Sequence, residues 1–109
     1  MQNVLFVCSR NQWRSPTAEA VFKNHSAINV RSGGTSSKAR RTVTHTDIQW
    51  ADQIVVMETK HRNRLKANFT RLLEYKPLHV LGIPDEYQFM DPELVETLEA
   101  VVPEVLGIS

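Results

Sequence analysis

The sequence predicts an α/β domain in which a doubly wound, four-stranded parallel sheet has helices on both faces, giving three layers. Short runs of branched and aromatic residues recur along the chain, and helical patterns separate them. The first run, residues 4–7, is apolar at every position, which is typical of a parallel strand buried on both faces. With 109 residues, of which 41% are hydrophobic, residues 1–109 are expected to form one domain.

The other strands are predicted from similar runs with turn residues after them. They are expected at residues 28–31, 53–57 and 78–83, the second strand ending at Ser32-Gly33-Gly34 and the fourth at Pro84. In sheets of this kind, ligands bind beyond the carboxyl ends of the strands. Cys8 follows the first strand and Asp85 follows the fourth. Both side chains are therefore expected at the ligand-binding edge.

The first two helices are predicted from capping signals. Ser15 is expected to be the N-cap and Pro16 the first position of a helix that runs to about His25. Thr44 and Asp47 have the spacing of a capping box, which predicts a short second helix after Thr44.

The last two helices follow from charge pattern and from proline. Residues 58–69 carry helix-forming charged residues between apolar ones and predict the third helix. Asp91 and Pro92 repeat the signature of an N-cap followed by proline, and they predict the start of the last helix. Pro103 lies inside that helix and is expected to kink or break it near Val102.

Composition and charge exclude several classes of partner. The 13 basic and 12 acidic residues give a net charge of +1, so neither nucleic acid nor a membrane is expected as the main partner. The longest apolar run, residues 4–8, is too short to span a bilayer and lacks the flanks of a signal peptide. The single cysteine cannot form an internal disulfide, which favours a reducing, cytoplasmic location. The oligomeric state stays open.

The histidines and basic clusters have ordinary explanations. The histidines share no metal-ligand spacing and are expected at the surface or at helix ends, so no metal or other cofactor is predicted; they are His25, His45, His61 and His79. Two basic clusters are expected to be solvated: Lys38, Arg40 and Arg41, and Lys60, Arg62, Arg64 and Lys66. The first cluster is also a candidate for attracting an anionic substrate.

The segment between the first strand and the first helix carries the predicted chemistry. Cys8 begins it, Arg14 and Ser15 end it, and the loop between them comprises Ser9, Arg10, Asn11, Gln12 and Trp13. A loop this tight turns successive N–H groups inward, and the following helix directs its N-terminal amides to the same point. The planar fork of an arginine grips two phosphate oxygens. The segment therefore predicts a phosphate-binding loop.

The two ends of this loop indicate nucleophilic catalysis. A cysteine among so many donors is expected to sit as the thiolate, which is the form that attacks phosphorus. Ser15 is placed to donate a hydrogen bond to the sulfur, and Asn11 is expected to hold the shape of the loop. The alternative is that Cys8 is simply a small buried residue at the end of a strand. The position of Arg14 and the serine after it favour the anion site.

With these residues the chain resembles the low-molecular-weight protein tyrosine phosphatases. The resemblance covers residues 4–8 and 14–20 and continues in patches at residues 41–44, at 51–57 and at Asp85. It implies the family's fold, which is the doubly wound sheet predicted above. It also implies the family's activity, the metal-free hydrolysis of aryl phosphates, notably phosphotyrosine, by a Cys-dependent hydrolase.

The chain departs from the family's pattern at three places. Arg10 stands where members usually carry glycine, and Trp13 stands where many carry a second cysteine. The stretch that often helps to wall the family's substrate pocket is shortened to about residues 35–40. Trp13 is a candidate to replace part of that wall. Whether the substrate is a phosphorylated protein or a small aryl phosphate stays open.

Two aspartates are candidates for the general acid that the resemblance implies. Family members carry this aspartate, usually followed by proline and tyrosine, on a loop before the last helix. Asp91 matches the Asp-Pro pair, but its predicted N-cap role already explains it. Asp85 lacks the proline but has Tyr87 close behind it and directly follows the fourth strand. Asp85 is therefore preferred, and Asp91 is kept as the alternative.

Three other functions compete with phosphate ester hydrolysis. A phosphocysteine carrier similar to the IIB domains of sugar phosphotransferase systems needs neither an arginine clamp nor an acid, so Arg14 and Asp85 speak against it. Arsenate reduction that relays oxidation across several cysteines is excluded by the single cysteine, and only a mechanism that uses an external thiol remains. A non-catalytic phosphate-binding module, in which Arg10 and the shortened wall leave binding without turnover, stays open.

Overall fold

The computed structural model describes residues 1–108, and within this range four parallel strands form one sheet in the order β2-β1-β3-β4. The elements are β1 (Gln2–Cys8), α1 (Arg14–Phe22), β2 (Ile28–Gly34), α2 (His45–Trp50), β3 (Gln53–Val56), α3 (Thr59–Asn68), α4 (Thr70–Leu73), β4 (Leu78–Val80) and α5 (Pro92–Leu106). The predicted doubly wound α/β fold is confirmed.

Alternate residues of β1 explain why helices cover both faces of the sheet. Val4 and Phe6 point to one side and pack in a cluster with residues of α1 and α5, such as Leu98. Leu5 and Val7 point to the other side and pack with residues of α2, α3 and α4. The central strand is thus apolar at every buried position because both of its faces lie under helices.

The carboxyl ends of the strands bring three chain segments together. Val7 of β1 lies beside Val56 of β3, and Met57 donates its N–H to the Val7 carbonyl. After β4 the chain continues along β3, because Ile83 donates its N–H to the Met57 carbonyl. The ends of β1 and β3 and the segment after β4 therefore meet where the strand order changes direction, the usual position of a ligand site.

The first helix begins two residues earlier than predicted. The helix α1 starts at Arg14 and ends at Phe22, and its N-cap position is Trp13 rather than Ser15. Ser15 lies in the first turn with a buried hydroxyl that faces Cys8, so it is not available to cap the helix. The second helix has the predicted capping box, in which Thr44 and Asp47 bond to each other's backbone N–H groups.

Other boundaries also differ from the predicted ones. The strand β2 continues through the predicted stop and ends at Gly34, since Gly34 pairs with Cys8 of β1. The strand β4 ends at Val80, before the predicted position. The third helix lies where predicted and ends at Phe69, where the backbone leaves helical geometry, but the short helix α4 that follows was not predicted.

The last helix starts as predicted but does not break where predicted. Asp91 caps it by accepting the N–H of Glu93, and Pro92 is its first residue. The expectation of a break near Pro103 is wrong, because α5 continues to Leu106 and ends at Gly107 in the left-handed conformation. Val102 and Leu106 are buried against the sheet on either side of the proline, and this packing holds the last turn in place. No helix within residues 1–108 is long and apolar enough to cross a bilayer.

Candidate active site

The loop between β1 and α1 takes its shape from Asn11. This residue has a φ of 50°, in the left-handed region that asparagine tolerates better than most residues. Its buried side-chain amide donates hydrogen bonds to the Ser15 hydroxyl (3.0 Å) and the Ser32 hydroxyl (2.9 Å). Ser32 in turn donates to Glu19 (2.6 Å). The turn of the loop is thus tied to both α1 and β2.

The backbone N–H groups of this loop are available to an anion. Among the described residues, none of the N–H groups of residues 9–13 donates a hydrogen bond to another protein group. Several N–H groups that converge at a helix N-terminus without partners form a concavity suited to phosphate. The helix that follows, α1, begins at Arg14.

The end of β2 lies so close to the loop that only glycine fits there. A Cβ atom at Gly34 would stand 2.6 Å from the Ser9 carbonyl oxygen and 2.5 Å from the Ala39 side chain. The Ser9 carbonyl instead accepts the N–H of Ser36, and the Arg10 carbonyl accepts the N–H of Arg40. The short segment of residues 35–40 therefore lies directly against the phosphate-binding loop.

The Cys8 sulfur lies at the base of the loop and contacts the Ser15 hydroxyl. Cys8 is 3% exposed, and its Sγ is 2.9 Å from Ser15 Oγ. Because the Asn11 amide donates to Ser15 Oγ, the hydroxyl hydrogen remains for another acceptor. The sulfur is nearer than the Gly33 carbonyl, which lies 3.4 Å away. This geometry suits a serine that donates to a thiolate.

The guanidinium of Arg14 is anchored on one nitrogen and free on the opposite edge. Arg14 Nη1 donates to Glu58 Oε1 (2.5 Å) and to the Ile83 carbonyl (2.8 Å). Among the described residues, neither Nε nor Nη2 donates a hydrogen bond. The Asp85 carboxylate lies 3.6 Å from Nε. The Nε–Nη2 edge therefore has the two parallel donors that bind two phosphate oxygens.

The ionised carboxylate of Glu58 keeps Arg14 in this orientation. Partial burial opposes its ionisation, but the hydrogen bond and charge of Arg14, helped by the nearby Lys60, outweigh it and hold the pKa of Glu58 below its usual value. An ionised Glu58 gives Arg14 a strong, charge-assisted hydrogen bond.

His61 connects the same helix terminus to the other end of the loop. Its Nδ1 accepts the N–H of Glu58 (3.0 Å), so the ring hydrogen is on Nε2, which lies 2.9 Å from the Ser9 hydroxyl and donates to it. Burial, and secondly the positive charge of Arg14, lower the pKa of His61 from 6.5 to about 4. The histidine lies at a helix end, one of the two positions predicted, but its side chain is buried rather than at the surface, with 1% exposed.

The structure brings Cys8, Arg14 and Asp85 to one small cavity and leaves Asp91 outside it. The cavity has a volume of about 30 Å³ and is lined by Cys8, Ser9, Arg10, Gln12, Trp13, Arg14 and Asp85. The Asp85 side chain is half exposed, whereas the Asp91 carboxylate accepts the Glu93 N–H as a helix cap. Within residues 1–108, no cluster of His, Cys, Asp and Glu side chains is arranged to hold a metal ion.

Sequence reasoning missed Glu58, His61 and Ser32. Glu58 comes soon after the carboxyl end of β3. The rule that ligands bind beyond the carboxyl ends of strands, which singled out Cys8 and Asp85, therefore applies to Glu58 as well. Its place in the predicted third helix offered a structural explanation instead. The spacing of Glu58 and His61 matches the capping box that the structure shows at α3. No local signal pointed to Ser32, because its contact with Asn11 depends on the pairing of β2 with β1.

The segment that contains this loop is similar to a known protein family. Residues 3–48 match the family model described as low molecular weight phosphotyrosine protein phosphatase. The predicted resemblance is thereby confirmed over this segment, which includes Cys8 and Arg14. No curated protein matches the sequence.

Solved structures share the fold over nearly the whole chain. The low molecular weight protein tyrosine phosphatase SP-PTP from Streptococcus pyogenes is 22% identical, with a TM-score of 0.73, over 98% of this chain and 89% of its own. Vibrio vulnificus Wzb in complex with benzylphosphonate is 20% identical, with a TM-score of 0.71, over 97% and 94%. The YwlE arginine phosphatase from Geobacillus stearothermophilus is 21% identical, with a TM-score of 0.65, over 96% and 86%.

The buried, neutral His61 makes stability depend on pH. Its pKa is lower in the folded state than the ordinary 6.5, so the unfolded chain binds an extra proton between about pH 6.5 and 4. The free energy of unfolding is therefore highest above this range. It decreases as the pH falls through the range, by up to about 1.4 kcal/mol per pH unit. We expect His61→Gln, which has no such proton to bind, to lose this slope in urea unfolding experiments at several pH values. Parallel curves for the two proteins would contradict the assignment.

Proposed function

We propose that the protein hydrolyses phosphate monoesters through a phosphocysteine intermediate on Cys8, and that residues 1–109 act as one phosphatase domain without a cofactor. The observation that carries the proposal is the single cavity lined by Cys8, Arg14 and Asp85. These residues have the chemistry of a nucleophile, an anion clamp and a proton donor, and all three lie at the carboxyl edge of the sheet.

In the first step, the Cys8 thiolate attacks the phosphorus atom in line with the leaving oxygen. A sulfur–phosphorus bond forms while the phosphorus–oxygen ester bond breaks, and Asp85 gives its proton to the leaving oxygen. The Nε–Nη2 edge of Arg14 and the free N–H groups of residues 9–13 stabilise the charge on the other phosphoryl oxygens. The alcohol leaves in its neutral form.

In the second step, water releases phosphate from the cysteine. The Asp85 carboxylate takes a proton from the water as its oxygen attacks phosphorus, and the sulfur–phosphorus bond breaks. The Ser15 hydroxyl donates a hydrogen bond to the departing thiolate. This bond lowers the free-energy cost of a negative charge on the buried sulfur. The products are inorganic phosphate and the original state of the enzyme.

The substrate we favour is phosphotyrosine in a protein or another aryl phosphate. Trp13 lies in the wall of the cavity and is 37% exposed, so its ring offers an aromatic surface to the leaving group. SP-PTP is named a tyrosine phosphatase and YwlE an arginine phosphatase, so a phosphoarginine peptide is the appropriate comparison substrate. A cytoplasmic location and the absence of nucleic-acid and membrane partners stay predictions.

The competing functions lack a comparable observation. A phosphocysteine carrier gives no role to the anchored Arg14 or to Asp85 beside it, and this alternative is not favoured. A non-catalytic phosphate-binding module would keep the loop and Arg14 but would release no product. Turnover therefore separates this alternative from the proposal.

The nucleophile is tested with p-nitrophenyl phosphate in the presence of EDTA. We expect wild type to release phosphate, vanadate to inhibit it, and Cys8→Ser to be inactive because a serine hydroxyl is a much weaker nucleophile at neutral pH. Arg14→Lys should lose roughly 100-fold in kcat, since lysine has no two-pronged donor edge. Vanadate binding to an inactive wild type would instead favour the binding module, and full activity of Cys8→Ser would contradict the mechanism.

The acid is tested with leaving groups of different basicity. We expect Asp85→Asn to slow phenyl phosphate hydrolysis by roughly 100-fold and p-nitrophenyl phosphate hydrolysis much less, because the better leaving group needs little protonation. Asp91→Asn is the matched control. Asparagine also caps helices, so this variant should keep nearly full activity on both substrates. Equal losses in the two variants, or a larger loss in Asp91→Asn, would contradict the assignment.

A further inference from the structure

A groove next to the phosphate-binding loop is lined by polar and basic side chains. Its volume is about 550 Å³, with Ser36 and Ser37 on one wall and Lys60 and Arg64 of α3 on the other. Ser9 lines both this groove and the small cavity that contains Cys8. A substrate bound through its phosphoryl group therefore has the groove directly beside it.

The charge around the active site is distributed unevenly. The helix α3 carries several basic residues and no acidic one, and no acidic residue lines the groove. More than half of the acidic residues lie in residues 85–104, on the loop of Asp85 and on α5. Because α3 and α5 pack on opposite faces of the sheet, one side of the site is basic and the other is acidic.

We propose that the groove binds an acidic segment of a phosphorylated polypeptide, next to the residue that carries the phosphate; this inference rests on the proposed function. The small cavity contains Cys8 and Arg14, and the groove beside it has room for neighbouring side chains. Residues 35–37 of the shortened segment line this groove. Carboxylates are the complementary partners of Lys60 and Arg64, and like charge disfavours a basic segment.

The test compares two phosphotyrosine peptides that differ only in having acidic or lysine neighbours. We expect wild type to show a kcat/KM roughly tenfold higher for the acidic peptide, and Arg64→Glu to lose most of that preference. Lys66→Glu is the matched control, because it makes the same charge change on α3 but lines a different cavity. Both variants should keep wild-type turnover of p-nitrophenyl phosphate.

Three results would overturn the proposal: no preference in wild type, an undiminished preference in Arg64→Glu, or an equal loss in Lys66→Glu. Peptide binding to Cys8→Ser, measured by fluorescence anisotropy, gives the same comparison without turnover. If wild type hydrolyses neither peptide nor p-nitrophenyl phosphate, the proposed function fails, and the binding preference still decides whether the groove selects acidic peptides.

A separate observation concerns Thr17, a fully buried residue of α1. Its hydroxyl donates to the Trp13 carbonyl at the end of the phosphate-binding loop (2.7 Å) and accepts the N–H of Met90 (2.9 Å). This hydrogen bond ties residues 84–91 to α1, as does the ion pair of Asp85 with Arg14. Met90 has a φ of 61°, which is unusual for a residue with a long side chain.

We infer that Thr17 is a positioning residue for Asp85. The strained backbone at Met90 needs a contact that holds it, and the Thr17 hydroxyl supplies one. Because the same hydroxyl bonds to Trp13, the loop that carries the proposed acid is fixed relative to the loop that binds the phosphoryl group. This inference also rests on the proposed function, since it assigns to Thr17 an effect on proton donation.

The variant Thr17→Val keeps the shape of the side chain and removes the hydrogen bonds. We expect it to lower kcat for phenyl phosphate by about tenfold and for p-nitrophenyl phosphate by less than about twofold, with Thr17→Ser restoring wild-type behaviour. In Asp85→Asn, the Thr17→Val change should cause no further loss on phenyl phosphate, because the two residues act on one step. Equal losses on both substrates would overturn the inference.

Hydrogen exchange gives a measurement that does not depend on the variants or on activity. The Met90 amide should exchange more slowly in wild type than the neighbouring amide of Phe89, which donates no hydrogen bond among the described residues. Exchange of Met90 as fast as that of Phe89 would overturn the inference even if Thr17→Val fails to fold.

Discussion

The active site depends on a tight loop that must keep its backbone N–H groups free and still hold one shape. In a helix or a strand, those N–H groups would bond to backbone carbonyls. Because they stay free in this loop, side chains have to hold its shape. Asn11 supplies it by adopting the left-handed conformation and bonding to the buried hydroxyls of Ser15 and Ser32. One of these hydroxyls also contacts the Cys8 sulfur. The contacts that shape the loop thus also fix the hydroxyl beside the proposed nucleophile.

The helix terminus that follows β3 holds both ends of this loop. Glu58 and His61 satisfy each other's backbone and side-chain groups at the start of α3. Glu58 then bonds to Arg14 and His61 bonds to Ser9. Each of these two side chains therefore caps the helix and also holds one end of the proposed anion-binding loop. Such double use explains why they carry no distinct signature in the sequence.

The parts of the fold that could be predicted are those with a local cause. The apolar run of β1, the capping box of Thr44 and Asp47, and the Asp91-Pro92 helix start all follow from neighbouring residues. The predicted break at Pro103 was wrong because packing of residues far apart in the chain outweighs the local preference of proline.

The same distinction applies to the site. The spacing of Cys8, Arg14 and Ser15 lies within one segment and was recognisable, whereas the burial of His61 depends on how α3 packs against the loop after β1. The sequence does not distinguish a histidine that is buried by contacts with a distant segment from one on the surface of a helix. The contact between Gly34 and Ser9 was equally hidden, because β2 has to pair with β1 before the two approach.

The anchoring of Arg14 also links catalysis to the completion of folding. Arg14 donates to the carbonyl of Ile83, a residue 69 positions further along the chain. Contacts at such a separation form late, because a long loop must close before they contribute any stabilisation. A chain with β1, α1 and β2 in place would already have the contacts of Asn11 with Ser15 and Ser32, yet its guanidinium would lack a fixed orientation. Enzymatic turnover is therefore a sensitive reporter of whether β4 has docked, during synthesis as well as during refolding.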